Sequence, residues 1–451
     1  MQSAPTPPAT TADTLPRLRG GWPIVGHTLR QLFWPMEFVA QLRALSGDLA
    51  WVNQGRGRWA LYCMDPEMYE VLKDKSCSVR HYLDIAPTLL GNSLLTQDGD
   101  VHRSGRTAMN APFTPKGLTA QGTSALMKEV IERQVSVMLD KPDPNALIEL
   151  RTLALDIIFR ILGIPHEELD GWRDHYEEVM LTLAPVKIKF PGSPEWRAER
   201  GRAWITERIQ ARVTAVRADP TITGLLAEMV RGWDAQELRG DDIGLIDNVL
   251  LLALAGHETT ASTMTWMVCH LAQDHDLWGR VVAEAHAASE VPQNPKDLAR
   301  FPVIEALFRE ALRLYPPVVS ISRQLLEPVE VSGVTVPAGT ELTFPILAWN
   351  RDERHYPEPE RFHPDRWVGR ERRPSPLETI AFSFGPHFCL GYHVAWTEAV
   401  QMGVALALQA GARGVRPVMA AGPPKARYLG LCTPDKKTTR VRWVADTAPR
   451  A

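Results

Sequence analysis

From about Asp242 to Gln273 the chain follows a helical period and is apolar nearly all round. A helix with no polar face does not lie at a surface, so it crosses a core, and at about 1.5 Å per residue it would extend roughly 45 Å. Its longest nearly apolar run, Val249 to Gly256, is far too short to span a bilayer. The rest of the chain has to be packed around this rod. Its middle, Ala255-Gly256-His257-Glu258-Thr259-Thr260, is its weakest part. Gly256 costs about 1 kcal/mol against alanine, and two threonines can back-bond to carbonyls and bend the helix. A weak spot in an otherwise firm helix tends to be functional. An ordinary helix with a salt-bridged glutamate reads the same way when taken alone.

A second stretch, residues 382 to 391, reads Phe-Ser-Phe-Gly-Pro-His-Phe-Cys-Leu-Gly. Phe382, Phe384, Phe388 and Leu390 can wrap the sulfur of Cys389 in apolar groups. Gly385 and Gly391 give turns and close backbone approach, and Pro386 stiffens the bend between them. A lone cysteine in an aromatic loop is commonly a buried structural thiol. A thiolate held in such a setting, with backbone N–H donors around it, is also what an iron-binding sulfur requires. The whole pattern F-x-x-G-x-H-x-C-x-G, followed by a helix-like stretch over 392 to 410, resembles the heme-binding loop of cytochrome P450 enzymes. In that family a thiolate pushes electron density onto heme iron and favours O–O cleavage. The resemblance implies Cys389 as the metal ligand and places His387 to donate to a heme propionate. The dipole of the following helix would favour the thiolate. Ser383 stands where many relatives carry glycine.

Other motifs fall in the family's order. The Ala255-to-Thr260 stretch matches [A/G]-G-x-[D/E]-T. This implies that Ala255 and Gly256 leave room for dioxygen, Thr259 offers it a hydroxyl, and Glu258 brings protons inward through water. Cleaving dioxygen takes protons, so an acid beside an alcohol is the expected apparatus. Relatives driven by peroxide commonly lack the pair. His102 and Arg106, four apart on one helical face, imply propionate ligands, as does Arg323. Glu310 and Arg313 form an E-x-x-R; the resemblance joins them to Arg361 of Pro359-Glu360-Arg361-Phe362 in a buried ion network that holds the cysteine loop. Pocket-lining candidates are Tyr82, Leu83 and Ile85 from an irregular loop over 76 to 98, Leu251 and Leu254 from the central helix, then Val318, Val319, Ile321 and Leu429.

The expected fold is mainly α with small β-sheets, a P450 fold with an α-rich domain and a smaller β-rich region. Residues 1–14, rich in Pro, Thr and Ala, read as a disordered leader without an apolar core, and 15–451 as a single heme-thiolate domain. A hairpin is expected over Leu49 to Met64 around Gly55 and Gly57, two helices with a lid-like break between Pro185 and Pro194, and a strand from Arg427 to Thr433. Five cysteines without paired spacing suit a reducing compartment, hence a cytoplasmic location. A net charge of −3 gives no case for nucleic acid.

The resemblance implies heme b and a monooxygenase that hydroxylates or epoxidises an apolar substrate with dioxygen; fatty acids, terpenoids, steroids and polyketides suit equally. With no flavin or iron–sulfur pattern in the chain, electrons would come from a ferredoxin or flavodoxin with its reductase. Lys73, Lys116, Arg370, Arg372 and Arg373 are candidates for the docking patch. The alternatives are a peroxide-driven or rearranging heme-thiolate enzyme and a non-catalytic heme-based sensor.

Overall fold

The computed structural model describes residues 10–45, 47–73, 76–84, 87–183, 189–238, 242–369, 375–429 and 431–446. The apolar rod is one unbroken α-helix, Asp242–Leu271, and its second half, Ala261 to Cys269, is buried on every side. It packs most extensively on the helix Ala146–Ile161, with the helices Pro302–Leu314 and Tyr392–Ala412 on other sides. These helices share one apolar cluster with Thr123–Asp140, Leu169–Met180 and Pro194–Ala218. Local chemistry sets their ends. Asn145 caps Ala146–Ile161 by accepting from the Ile148 N–H at 3.2 Å, and Gly163, at φ 77°, turns the chain away after its end. Ser193 caps Pro194–Ala218, where Pro194 loses nothing because a first-turn N–H has no helical partner.

A smaller region carries the β structure. Its five-stranded sheet runs in the order Leu49–Gly55, Arg58–Cys63, Glu341–Phe344, Ile321–Leu325, Cys77–Ser78. Leu49 stands opposite Cys63 across the hairpin, while Ala60 pairs in parallel with Glu341. Buried Leu61, Leu325, Leu342 and Phe344 give this region a core of its own. The expected division into a helix-rich part and a small β-rich part is therefore what is observed.

Four local expectations change. Residues 10–14, assigned to the leader, form a short strand, Thr10–Thr11, paired in parallel with Val334–Val336, and a 3-10 turn, Ala12–Thr14, with Ala12 buried. The irregular 76-to-98 loop contains a strand, a 3-10 turn (Arg80–Asp84) and a short helix (Pro87–Leu90). The single strand over 427 to 433 is a hairpin, Ala426–Leu429 with Leu431–Pro434. Helices that the sequence patterns do not announce include Thr28–Phe33, Leu225–Ala235 and His275–Ala288.

Glu398, on the helix after the cysteine loop, is buried, and its Oε1 has no hydrogen-bond partner among the described residues. Burial alone raises its carboxyl well above the ordinary range, which favours the protonated form in the folded chain. Stability from this group is complete below the unfolded carboxylate pKa and is lost as pH rises toward the folded value. Wild-type protein should therefore lose up to about 1.4 kcal/mol per pH unit across that window. Glu398→Gln should flatten that slope in urea unfolding at pH 5 to 8; an identical slope in both proteins would refute the assignment.

Candidate functional site

The cysteine loop is built by a series of turns. Ser375 caps a 3-10 helix, Pro376–Phe382, in a reciprocal box with Glu378. Ser383 then takes φ 59°, ψ −164°, a region almost reserved for glycine, which costs on the order of 1–3 kcal/mol. This is the physical sense of the glycine expected there. Gly385, at φ 63°, lies so close to Lys73 that an added Cβ would stand 2.9 Å from its Cγ. The Cys389 N–H donates to the Phe382 carbonyl at 2.8 Å and closes the loop. Phe382 and Phe388 both pack on Tyr392, at 4.8 and 5.3 Å between ring centres. Burial pushes the Cys389 thiol up, while the Gly391 N–H and the Arg106 guanidinium pull it down. A cation binding the sulfur would release its proton.

Four of the expected anion ligands converge. The His102 and His387 rings lie 4.2 Å apart, and His387 Nε2 is 3.8 Å from Asp98. Burial, with His387 and Arg106 nearby, lowers His102 to about 4. Burial likewise lowers His387, opposed by Asp98. Burial works to raise Asp98, but His387, the Ser78 hydroxyl and the Val79 N–H hold it below its ordinary value. Arg323 is 3 % exposed and donates to the Ser322 carbonyl at 2.8 Å. Two guanidinium groups thus gather around two imidazoles, with a single carboxylate, Asp98, beside His387. Such a donor set calls for further negative charge, as two propionates would bring.

On the central helix Thr259 Oγ1 donates to the Ala255 carbonyl at 2.5 Å, the back-bond expected of it, yet the helix is unbroken. Ala255 is exposed although mid-helix, so the rod borders open space there. An alanine at 256 would set its Cβ 3.3 Å from Ile158 Cδ1, so glycine lets the neighbouring helix come close. Glu258 is held by Arg151 at 2.9 Å, a partner the sequence did not reveal.

The ion network is present with one arginine exchanged. Arg313 Nε and Nη2 donate to the two Glu310 oxygens at 2.9 and 2.8 Å, and both side chains are almost fully buried. Glu310 also accepts from the His363 N–H, from Trp367 Nε1 and from Arg366 Nε at 3.0 Å. The side chain of Arg361, the expected third member, is exposed and pairs with Glu358 at 3.3 Å; only its carbonyl takes part, accepting from Arg313 at 3.0 Å. The 3-10 turn Pro364–Arg366 is what aims Arg366 inward. That turn was visible in Phe362-His363-Pro364-Asp365-Arg366-Trp367, but nothing in it distinguishes which arginine points in.

The pocket candidates are less uniform. The Tyr82 hydroxyl donates to the Ser322 carbonyl at 3.1 Å and accepts from the Ser322 N–H at 3.0 Å, which ties the loop to the sheet. Leu83, Leu251, Leu254, Val318 and Val319 are partly buried, and Ile321 is buried. Ile85 and the Leu429 side chain lie outside the described residues, as do Arg370, Arg372 and Arg373 of the docking patch. Lys116 is exposed, and Lys73 pairs with Glu70 at 2.6 Å.

A family model, Cytochrome P450, matches residues 205–409. The chain is similar to the cytochrome P450 BJ-4 homolog of Sinorhizobium fredii, 36% identical over 92% of each chain. It is 30% identical to cyclooctat-9-en-7-ol 5-monooxygenase of Streptomyces melanosporofaciens over 88% of each. Among solved structures, the cytochrome P450DA heme domain superposes with a TM-score of 0.82 at 19% identity, covering 96% of this chain and 97% of that one.

Proposed function

The chain belongs to the cytochrome P450 family of heme-thiolate monooxygenases, and we propose that it oxygenates a cyclic terpenoid, with Cys389 as the sulfur ligand of heme b. The observation that carries this reading is the Cys389 loop, whose thiol is flanked by the Gly391 N–H and faced by Arg106. The heme, when bound, supplies dioxygen activation at its iron. His102, Arg106, Arg323 and His387 would hold its propionates, and Phe382, Gly385 and Gly391 would frame the sulfur. Ala255 would leave space for dioxygen, with Gly256 letting the helix Ala146–Ile161 pack close behind it, while Thr259 would offer a hydroxyl and Glu258 would carry protons. Apolar Leu83, Leu251, Leu254, Val318, Val319 and Ile321, with Tyr82, suit a hydrocarbon-rich substrate. The similarity to an enzyme named for a cyclic olefinic alcohol favours the terpenoid class.

Among the described residues no helix is long and apolar enough to cross a membrane. A cytoplasmic enzyme fed by a ferredoxin or flavodoxin and its reductase fits that, with Lys73 and Lys116 on the docking face.

Cys389→Ser tests the reading. Wild-type protein, reduced and exposed to carbon monoxide, should give the thiolate-type absorption band, and the serine variant should lose both that band and NAD(P)H-dependent product. An unchanged spectrum in the variant would sink the assignment. Displacement of the spin-state equilibrium by cyclic terpene alcohols, against fatty acids and steroids as comparison, tests the substrate class.

A further inference from the structure

Glu258 must be resupplied with protons if it carries them, and its visible partner cannot do this. Arg151 Nη2 lies 2.9 Å from the Glu258 carboxylate, but a guanidinium stays charged and has no acceptor, so it cannot pass a proton on. The neighbours that can both give and take a proton lie deeper. Tyr176, on the helix Leu169–Met180, meets His257 of the central helix edge to face, with ring centres 5.8 Å apart. Tyr176 is 1 % exposed and His257 8 %. The Tyr176 hydroxyl and His257 Nδ1 are both buried without a hydrogen-bond partner among the described residues. Glu258 acts electrostatically on Tyr176 and Arg151 on His257, so all four groups share one neighbourhood. Two orphaned polar atoms on a pair of packed rings in a core are costly, and ordered water is the usual remedy.

We propose that Tyr176 and His257 line a buried chamber that holds ordered water and relays protons to Glu258. This rests on the reading of Glu258 above. The central helix supplies His257 next to the acid, and Tyr176 closes the chamber from the neighbouring helix. Each proton that the chamber water hands to Glu258 is replaced from bulk water through the same chain of waters, so neither ring changes its net protonation. Burial first, and then the Arg151 charge, lowers His257 to about 4, which keeps its imidazole neutral and able to accept at one nitrogen while donating at the other. Tyr176 and His257 are positioning residues for the acid and touch no substrate.

The test uses the holoenzyme with Tyr176→Phe, His257→Phe and His257→Gln. A crystal structure of the wild type should show water on Tyr176 Oη and His257 Nδ1, and Tyr176→Phe should lose it. With a cyclic terpene alcohol and surrogate redox partners, the two phenylalanine variants should lose about tenfold or more of dioxygen-dependent turnover, with a larger solvent isotope effect. His257→Gln, which keeps a donor and an acceptor, should stay within about threefold of wild type. Turnover driven by added peroxide, which needs no proton relay, should stay unchanged throughout. A dry chamber, or unaffected dioxygen-dependent turnover in both phenylalanine variants, would overturn the proposal. Equal loss in the peroxide-driven reaction would also overturn it, by showing a packing role only. If wild-type protein lacks dioxygen-dependent turnover, the monooxygenase reading of this site fails instead, and the water positions still decide the chamber.

Discussion

Arg313→Ala is expected to cost about 3–5 kcal/mol and to leave a chain that takes up little heme. The guanidinium is almost fully buried; it forks onto Glu310 and donates to the carbonyls of Asn350, Pro359 and Arg361. Removing it strands the Glu310 charge in the core and frees three carbonyls that hold the segment leading into the cysteine loop. Burial works to raise the Glu310 carboxyl, but Arg313, with Arg366 and the His363 N–H, holds it below the ordinary range. Its contribution is therefore complete above the unfolded carboxylate pKa, and acid removes it as pH falls through the folded value. Urea unfolding and the heme-to-protein absorbance ratio read the two effects. The same measurements separate the two candidate third arginines. Arg366→Ala should destabilise by about 1–3 kcal/mol, whereas Arg361→Ala should stay within about 0.5 kcal/mol of wild type. The reverse ranking would mean that the network is assembled differently.

Asp247→Ala should be the second most damaging change, because one carboxylate joins three parts of the molecule. It is 2 % exposed on the central helix and takes an ion pair from Arg202 on the helix Pro194–Ala218. It also accepts the Asn92 N–H at 2.7 Å, and an added Cβ on Gly91, at φ 46°, would stand 2.2 Å from its Oδ2. Next to it, Asn248 Oδ1 accepts the Leu94 N–H at 2.8 Å. The variant should lose about 2–4 kcal/mol, below the worst buried pairs because the Arg202 side chain keeps 23% exposure. Hydrogen exchange should accelerate over 91–94 and 197–205 together. Asp247→Asn, which can still accept from Asn92, should lose roughly half as much. Acceleration on one segment alone would show that Asp247 does not couple them.

Legibility differed sharply between backbone-local motifs and side-chain partners. Cys389, Gly385 and Gly391 declared themselves in ten consecutive residues, because a tight loop around a sulfur needs particular residue types in a row. Glu258 and Thr259 were readable for the same reason, as a chemical interruption in an apolar helix. The Arg361 side chain lies outside the network that its motif suggests, and the Arg366 side chain lies inside it. The motif is present, yet which of two arginines five apart turns inward depends on the 3-10 turn between them and on where Glu310 lies. Arg151 and Tyr176 give no local sign, since a charged or phenolic residue on an amphipathic helix looks alike whether it meets solvent or a partner, and nothing in the stretch around Asp247 names Arg202 or Asn92 as its partners.

Helical period, apolar pattern and turn chemistry act over a few residues, so the amino-acid order alone determined the core-crossing rod, the cysteine loop and the mainly helical class. Partner choice acts across separations of 45 positions for Arg202 with Asp247 and 107 for Arg151 with Glu258. Those pairings exist only where packed helices bring two faces together. A buried charge accepts a partner by proximity and desolvation, and neither quantity is written in any single stretch of the chain.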